Sequence, residues 1–75
     1  MPEHTIHTET DSMVLPQILK SVGLTSSTSE GMRMIEQGAV RLNGEKVSDK
    51  ALILSRGQQV VLQIGRRKFA RVTLA

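Results

Sequence analysis

The stretch Ser27-Thr28-Ser29-Glu30-Gly31-Met32-Arg33-Met34-Ile35-Glu36-Gln37-Gly38-Ala39-Val40-Arg41-Leu42-Asn43-Gly44-Glu45-Lys46-Val47 changes its hydrophobic period in the middle. Ser27 followed three residues later by Glu30 is a capping box, so a helix is predicted from Thr28 to Gln37, with Gly38 as its stop. Met34 and Ile35 are its core candidates. Gly31 costs roughly 1 kcal/mol relative to alanine inside a helix, so either another backbone approaches closely there or the helix is weak. Beyond Gly38 the period becomes two. Val40 and Leu42 alternate with Arg41, Asn43-Gly44 supplies a tight hairpin turn, and Glu45-Lys46-Val47 returns.

On the N-terminal side, Leu15, Ile18, Leu19 and Val22 share one face of a short helix starting near Met13. Pro16 fits only in its first turn, where the missing amide hydrogen is not needed, and Gly23 is a natural stop. Residues 1–12 are rich in Thr, Glu and His, have no apolar period, and read as a flexible leader or linker ahead of a domain at 13–75. On the C-terminal side, Ala51 to Ser55 reads as a third strand, Val60, Leu62 and Ile64 alternate in a fourth, and Phe69 to Leu74 makes a fifth. An odd loop of Gly65, Arg66 and Arg67 puts Val60, Leu62 and Ile64 on one face with Ala70 and Val72. Val61, Gln63, Phe69 and Arg71 then take the other face, whereas an even loop would drive Arg71 into the core. The predicted fold class is α+β: two short N-terminal helices followed by a small antiparallel sheet of about five strands.

Seventy-five residues, 39% hydrophobic and 23% charged, suit one small globular domain with a modest core. The lack of cysteine excludes a disulfide framework and any thiolate metal site. No apolar run approaches the roughly eighteen residues of a membrane span, and the first residues lack the order of a signal peptide, so a cytoplasmic setting is expected. His4 and His7 sit in the unpatterned leader with no second cluster to complete a metal site. Glu30 and Glu36 are explained as a capping residue and a solvated helix side chain, and there is neither a glycine-rich phosphate loop nor a nucleophile beside a base. The segment carries no expected catalytic residue, metal or cofactor.

Charge is divided along the chain. Residues 1–12 carry three acidic and no basic groups, whereas residues 13–75 carry ten basic against four acidic, a net of +6. Excess positive charge on so small a body suggests a polyanionic partner, because each lysine or arginine that neutralises a phosphate releases counterion. With Asn43-Gly44 as a two-residue turn, Arg41 faces Lys46 across the ladder, a like-charge pair that costs energy unless an anion lies between them or the side chains splay apart. Arg66, Arg67 and Lys68 form a second cluster at a hairpin tip. Phe69 is the only aromatic residue, so stacking of successive bases is not supported, and a bound nucleic acid would be held through backbone and shape.

The quoted stretch, with its capped helix, terminal glycine and valine strand running into Asn-Gly, resembles the signature of the S-four RNA-binding domain, named for a protein of the small ribosomal subunit. The final Val61-Leu62-Gln63-Ile64-Gly65-Arg66-Arg67-Lys68-Phe69-Ala70-Arg71-Val72 is similar to the version found at the carboxyl end of bacterial tyrosyl-tRNA synthetases. Together the two motifs cover about residues 13–75. The resemblance implies an RNA face made of the second helix's start and outer side with the Asn-Gly hairpin, here Ser27, Thr28, Ser29, Arg33, Arg41, Asn43 and Lys46. Thr28 stands where a lysine or arginine is common, and Gly31-Met32 where Ala-Arg is usual, so this helix offers fewer cations than is customary. The resemblance further implies a parent enzyme that activates tyrosine with ATP and magnesium in a separate catalytic domain. That parent would be a homodimer, while the fragment would be monomeric and grip tyrosine tRNA by its long variable arm. Other parents, such as a pseudouridine synthase, a ribosomal protein or a ribosome-rescue factor, share the domain, and a protein-docking module is a further alternative, favoured if Met32 and Phe69 are both exposed.

Overall fold

The computed structural model describes residues 2–75. In chain order the elements are β1 (Glu3–Ile6), β2 (Ser12–Val14), α1 (Leu15–Ser21), α2 (Thr28–Glu36), β3 (Val40–Leu42), β4 (Glu45–Lys46), β5 (Ile53–Ser55), β6 (Gln59–Ile64) and β7 (Lys68–Leu74). A five-stranded sheet has the order β1-β7-β6-β3-β4, and β2 pairs with β5 in a separate ribbon. The helices cover the sheet face that carries Val40, Leu62, Ile64, Val72 and Leu74, and Leu15, Ile18, Leu19 and Ile35 close the core from the helical side. Full burial of each such side chain contributes about 1.5–3 kcal/mol.

Local chemistry explains the helices. Pro16 occupies the first turn of α1, and Gly23 takes φ 79° just beyond its end. α2 is capped by Ser27, whose hydroxyl accepts the Glu30 amide at 3.1 Å. The Glu30 carboxylate reaches past Ser27 to the amide and hydroxyl of Ser26, at 3.2 and 3.0 Å, so the reciprocal half of the capping box is displaced by one residue. Gly31 is buried against α1. A Cβ there would lie 3.2 Å from both the Cα and the carbonyl oxygen of Pro16, so close backbone approach is the reason for this mid-helix glycine.

The C-terminal hairpin has the odd loop that burial demands: Val60 pairs with Val72, Leu62 with Ala70 and Ile64 with Lys68. Asn43 and Gly44 both take positive φ, 51° and 86°, as a two-residue turn matched to strand twist requires.

Three expectations need correction. The helices are not the first elements, because β1 and β2 precede them. Residues 3–6 are not an unpatterned leader but a strand, parallel to β7 with Glu3 opposite Arg71 and Ile6 opposite Leu74; this makes the sheet mixed, not antiparallel. Met1, the first residue of that expected leader, lies outside the described residues. The strand is held by the Arg71 amide donating to the Pro2 carbonyl and the Ala75 amide to that of Ile6, both at 2.8 Å, and by the Arg71–Glu3 ion pair, also 2.8 Å. The expected strand at Ala51 to Ser55 shortens to Ile53–Ser55 and leaves the main sheet for β2, so β1, not β5, supplies the fifth strand.

Candidate nucleic-acid interface

Two turns and one helix set the positions of the cationic side chains. The type of turn at Asn43-Gly44 places Arg41 opposite Lys46, and Arg41 also opposes Gln63, which in turn opposes Phe69. Phe69, Gln63, Arg41 and Lys46 therefore form one row across the solvent face of the sheet. The Arg41 guanidinium donates to the Gly44 carbonyl at 3.3 Å. Lys46 runs over Gly38 at the end of α2, where a Cβ would collide with Lys46 Cε and come 2.8 Å from Nζ. Gly38 thus gives Lys46 its passage.

Between the β3–β4 turn and the β6–β7 tip lies a polar hollow of about 480 Å³, lined by Gly38, Ala39, Arg41, Gly44, Gln63, Gly65 and Arg66. It joins the two cationic clusters through Arg41 and Arg66. On the other side of the same tip, Arg67 and Lys68 line a second hollow with the α1–α2 connection. The Glu30 carboxyl at the start of α2 is held below its ordinary value by the hydrogen bonds from the Ser26 amide and hydroxyl first, and then by the charges of Arg33 and Lys68, while desolvation acts in the opposite direction.

The nominated residues divide by what their side chains already do. Ser27 spends its hydroxyl on the cap, and Asn43 Oδ1 accepts the Val61 amide at 2.9 Å, tying the turn to β6. Thr28 and Ser29 stand at the first turn of α2, half-buried and exposed respectively. Among the described residues, Arg33, Arg41, Lys46, Arg66, Arg67 and Lys68 take part in no ion pair, whereas Lys50 pairs with Glu36, Arg56 with Asp11 and Arg71 with Glu3. Sequence reasoning did not find Gly38 and Gly65 as lining of the polar hollow, nor Pro2, His4, Val22 and Leu24 as walls of the second one. The only available signal was the spacing of Gly38 and Lys46, which does not by itself bring them together.

A small α+β body with a capped helix beside an Asn-Gly hairpin defines a class. Residues 14–60 match the S4 domain, and the chain belongs to that family. Over 74 residues, 99% of its length, it is 55% identical to the tyrosine–tRNA ligase of Nitrosospira multiformis and 57% identical to that of Aromatoleum aromaticum. The chain spans 18% of the length of each of these relatives. Among solved structures, 30S ribosomal protein S4e from Thermoplasma acidophilum shares the fold, with a TM-score of 0.56 and 23% identity over 75% of this chain and 29% of that one.

Proposed function

We propose that this chain binds structured RNA as the tRNA-gripping part of a tyrosine–tRNA ligase, meeting the long variable arm of tyrosine tRNA. The observation that supports this most is the run of cations that, among the described residues, form no ion pair around one end of the sheet, Arg41 and Lys46 through Arg66 to Lys68. Like charges placed side by side repel, and a phosphate between them removes that cost. The family and the 55–57% identity to tyrosine–tRNA ligases favour this parent over other carriers of the domain. Tyrosylation itself, with its ATP and magnesium, belongs to a catalytic domain elsewhere in the parent. The parent acts in the cytoplasm as a homodimer, while the domain alone is monomeric.

The test is a titration of the chain with tyrosine tRNA, intact or with its variable arm shortened, at two salt concentrations. Binding should weaken steeply as salt rises, with a slope set by the phosphates neutralised, and should weaken again when the arm is shortened. Equal binding of both RNAs would contradict the arm, and flat salt dependence would contradict the electrostatic grip. Protein docking remains a second reading, because Met32 and Phe69 are both exposed, at 42% and 36%. Phe69 lines the second hollow and Met32 does not, so these two residues do not share that groove.

A further inference from the structure

The second hollow is a groove of about 680 Å³ beside the start of β7, next to the point where Glu3 of β1 pairs with Arg71. Its apolar walls come from Val22, Leu24, Phe69 and Ala70, Pro2 and His4 close it on the β1 side, and Arg67 and Lys68 complete its lining. We propose that this groove seats one unpaired nucleotide of the bound RNA, with its base against Phe69 and its phosphate at Arg67 and Lys68. The inference rests on the RNA-binding reading and specifies what that reading leaves open.

Three observations carry it. Phe69 is the only Phe, Tyr or Trp in the sequence, and it is 36% exposed in the groove beside the aliphatic Val22 and Leu24, with His4 on the β1 side, which gives a platform for one base and none for a long stacked run. The backbone supplies polar groups beside that platform. The Arg71 amide donates to Pro2 on the β1 side, so the strand's alternation turns the N–H and C=O of Phe69, two residues earlier, toward the same edge, where among the described residues no strand lies opposite. Those groups can meet the edge of a base. Finally, no carboxylate lines the groove, while Arg66, adjacent in the chain, faces the polar hollow beside Arg41. A phosphate in the hollow and a nucleotide in the groove would thus be neighbours on one RNA strand. An apolar protein segment would instead cover Arg67 and Lys68 without an anion to pair them.

The experiment measures binding of the 75-residue chain to a stem-loop RNA with one bulged nucleotide and to the same stem-loop fully paired. The native chain should prefer the bulged RNA. Phe69→Ala and Phe69→Leu should each weaken binding of the bulged RNA by about tenfold and leave the paired RNA unchanged, while Phe69→Tyr keeps the preference. Phe69→Leu retains apolar bulk, so a loss there reports stacking and not a collapsed wall. Equal binding of the two RNAs by the native chain, or retention of the preference by Phe69→Leu, would overturn the groove assignment while leaving the RNA reading intact. Failure to bind either RNA at low salt would remove the RNA reading and the groove with it. The assignment is also overturned if the remaining domains of a tyrosine–tRNA ligase, added separately, shift the amides of Leu24 and Phe69 and the bulged RNA does not.

Discussion

The two ends of the sheet use positive charge in opposite ways. At the β1 edge, Arg71 pairs with Glu3, and Arg56 donates to the carbonyls of Thr8 and Thr10 at 2.8 and 3.1 Å. There the cations fasten the N-terminal segment to the sheet. At the hairpin end, Arg41 lies opposite Lys46, and Arg66 shares a hollow with Arg41. Those side chains have no carboxylate to answer them among the described residues. The contrast shows that a net charge is a poor guide to a binding surface until the internally committed cations are set aside.

The largest test of this contrast is to remove Arg66, Arg67 and Lys68 together as alanines. The salt slope of RNA binding should fall by about three units, one for each lost phosphate contact. Thermal unfolding should stay within about 0.5 kcal/mol of the native chain, because exposed side chains without partners contribute little to stability. An unchanged slope would mean that the tip is solvated decoration.

The complementary substitution is Arg71→Ala. Its exposed ion pair is worth about 0–1 kcal/mol, so the expected outcome is a small loss of stability with faster amide exchange in β1 and the same salt slope. A fall in slope would place RNA on the β1 edge as well and blur the comparison.

The smallest effect concerns Glu30, the carboxylate beside the cationic end. Its folded pKa is lowered from 4.5, so the stabilisation it gives is present above that value and is lost as pH falls through the lowered folded pKa. The difference in melting temperature between the native chain and Glu30→Gln should therefore shrink as pH drops below 4.5. A gap that holds constant into acid would show that Glu30 acts through shape and not through charge.

Much of this arrangement was legible because it is local. The Ser27 cap, the glycine stops, the Asn43-Gly44 turn and the odd loop at residues 65–67 each depend on neighbours in the chain. The like-charge pair of Arg41 and Lys46 follows from turn length alone. β1 was not legible, because its half-buried face is His4 and Ile6 and its partner is the last strand of the chain. Ala51 to Ser55 misled for a related reason: its strand character was visible, but its partner, the short segment Ser12–Val14, was not. The grooves escaped detection because each is walled by segments far apart in sequence, such as Pro2, Leu24 and Phe69.

The most direct test of the central claim is an amide chemical-shift map of the chain titrated with tyrosine tRNA. Perturbations should concentrate at Arg33, Arg41, Lys46 and Arg66 to Phe69 and be absent from Thr5, Ile6, Arg56 and Arg71. Shifts gathered along β1 and Arg71, with the hairpin end silent, would contradict the account.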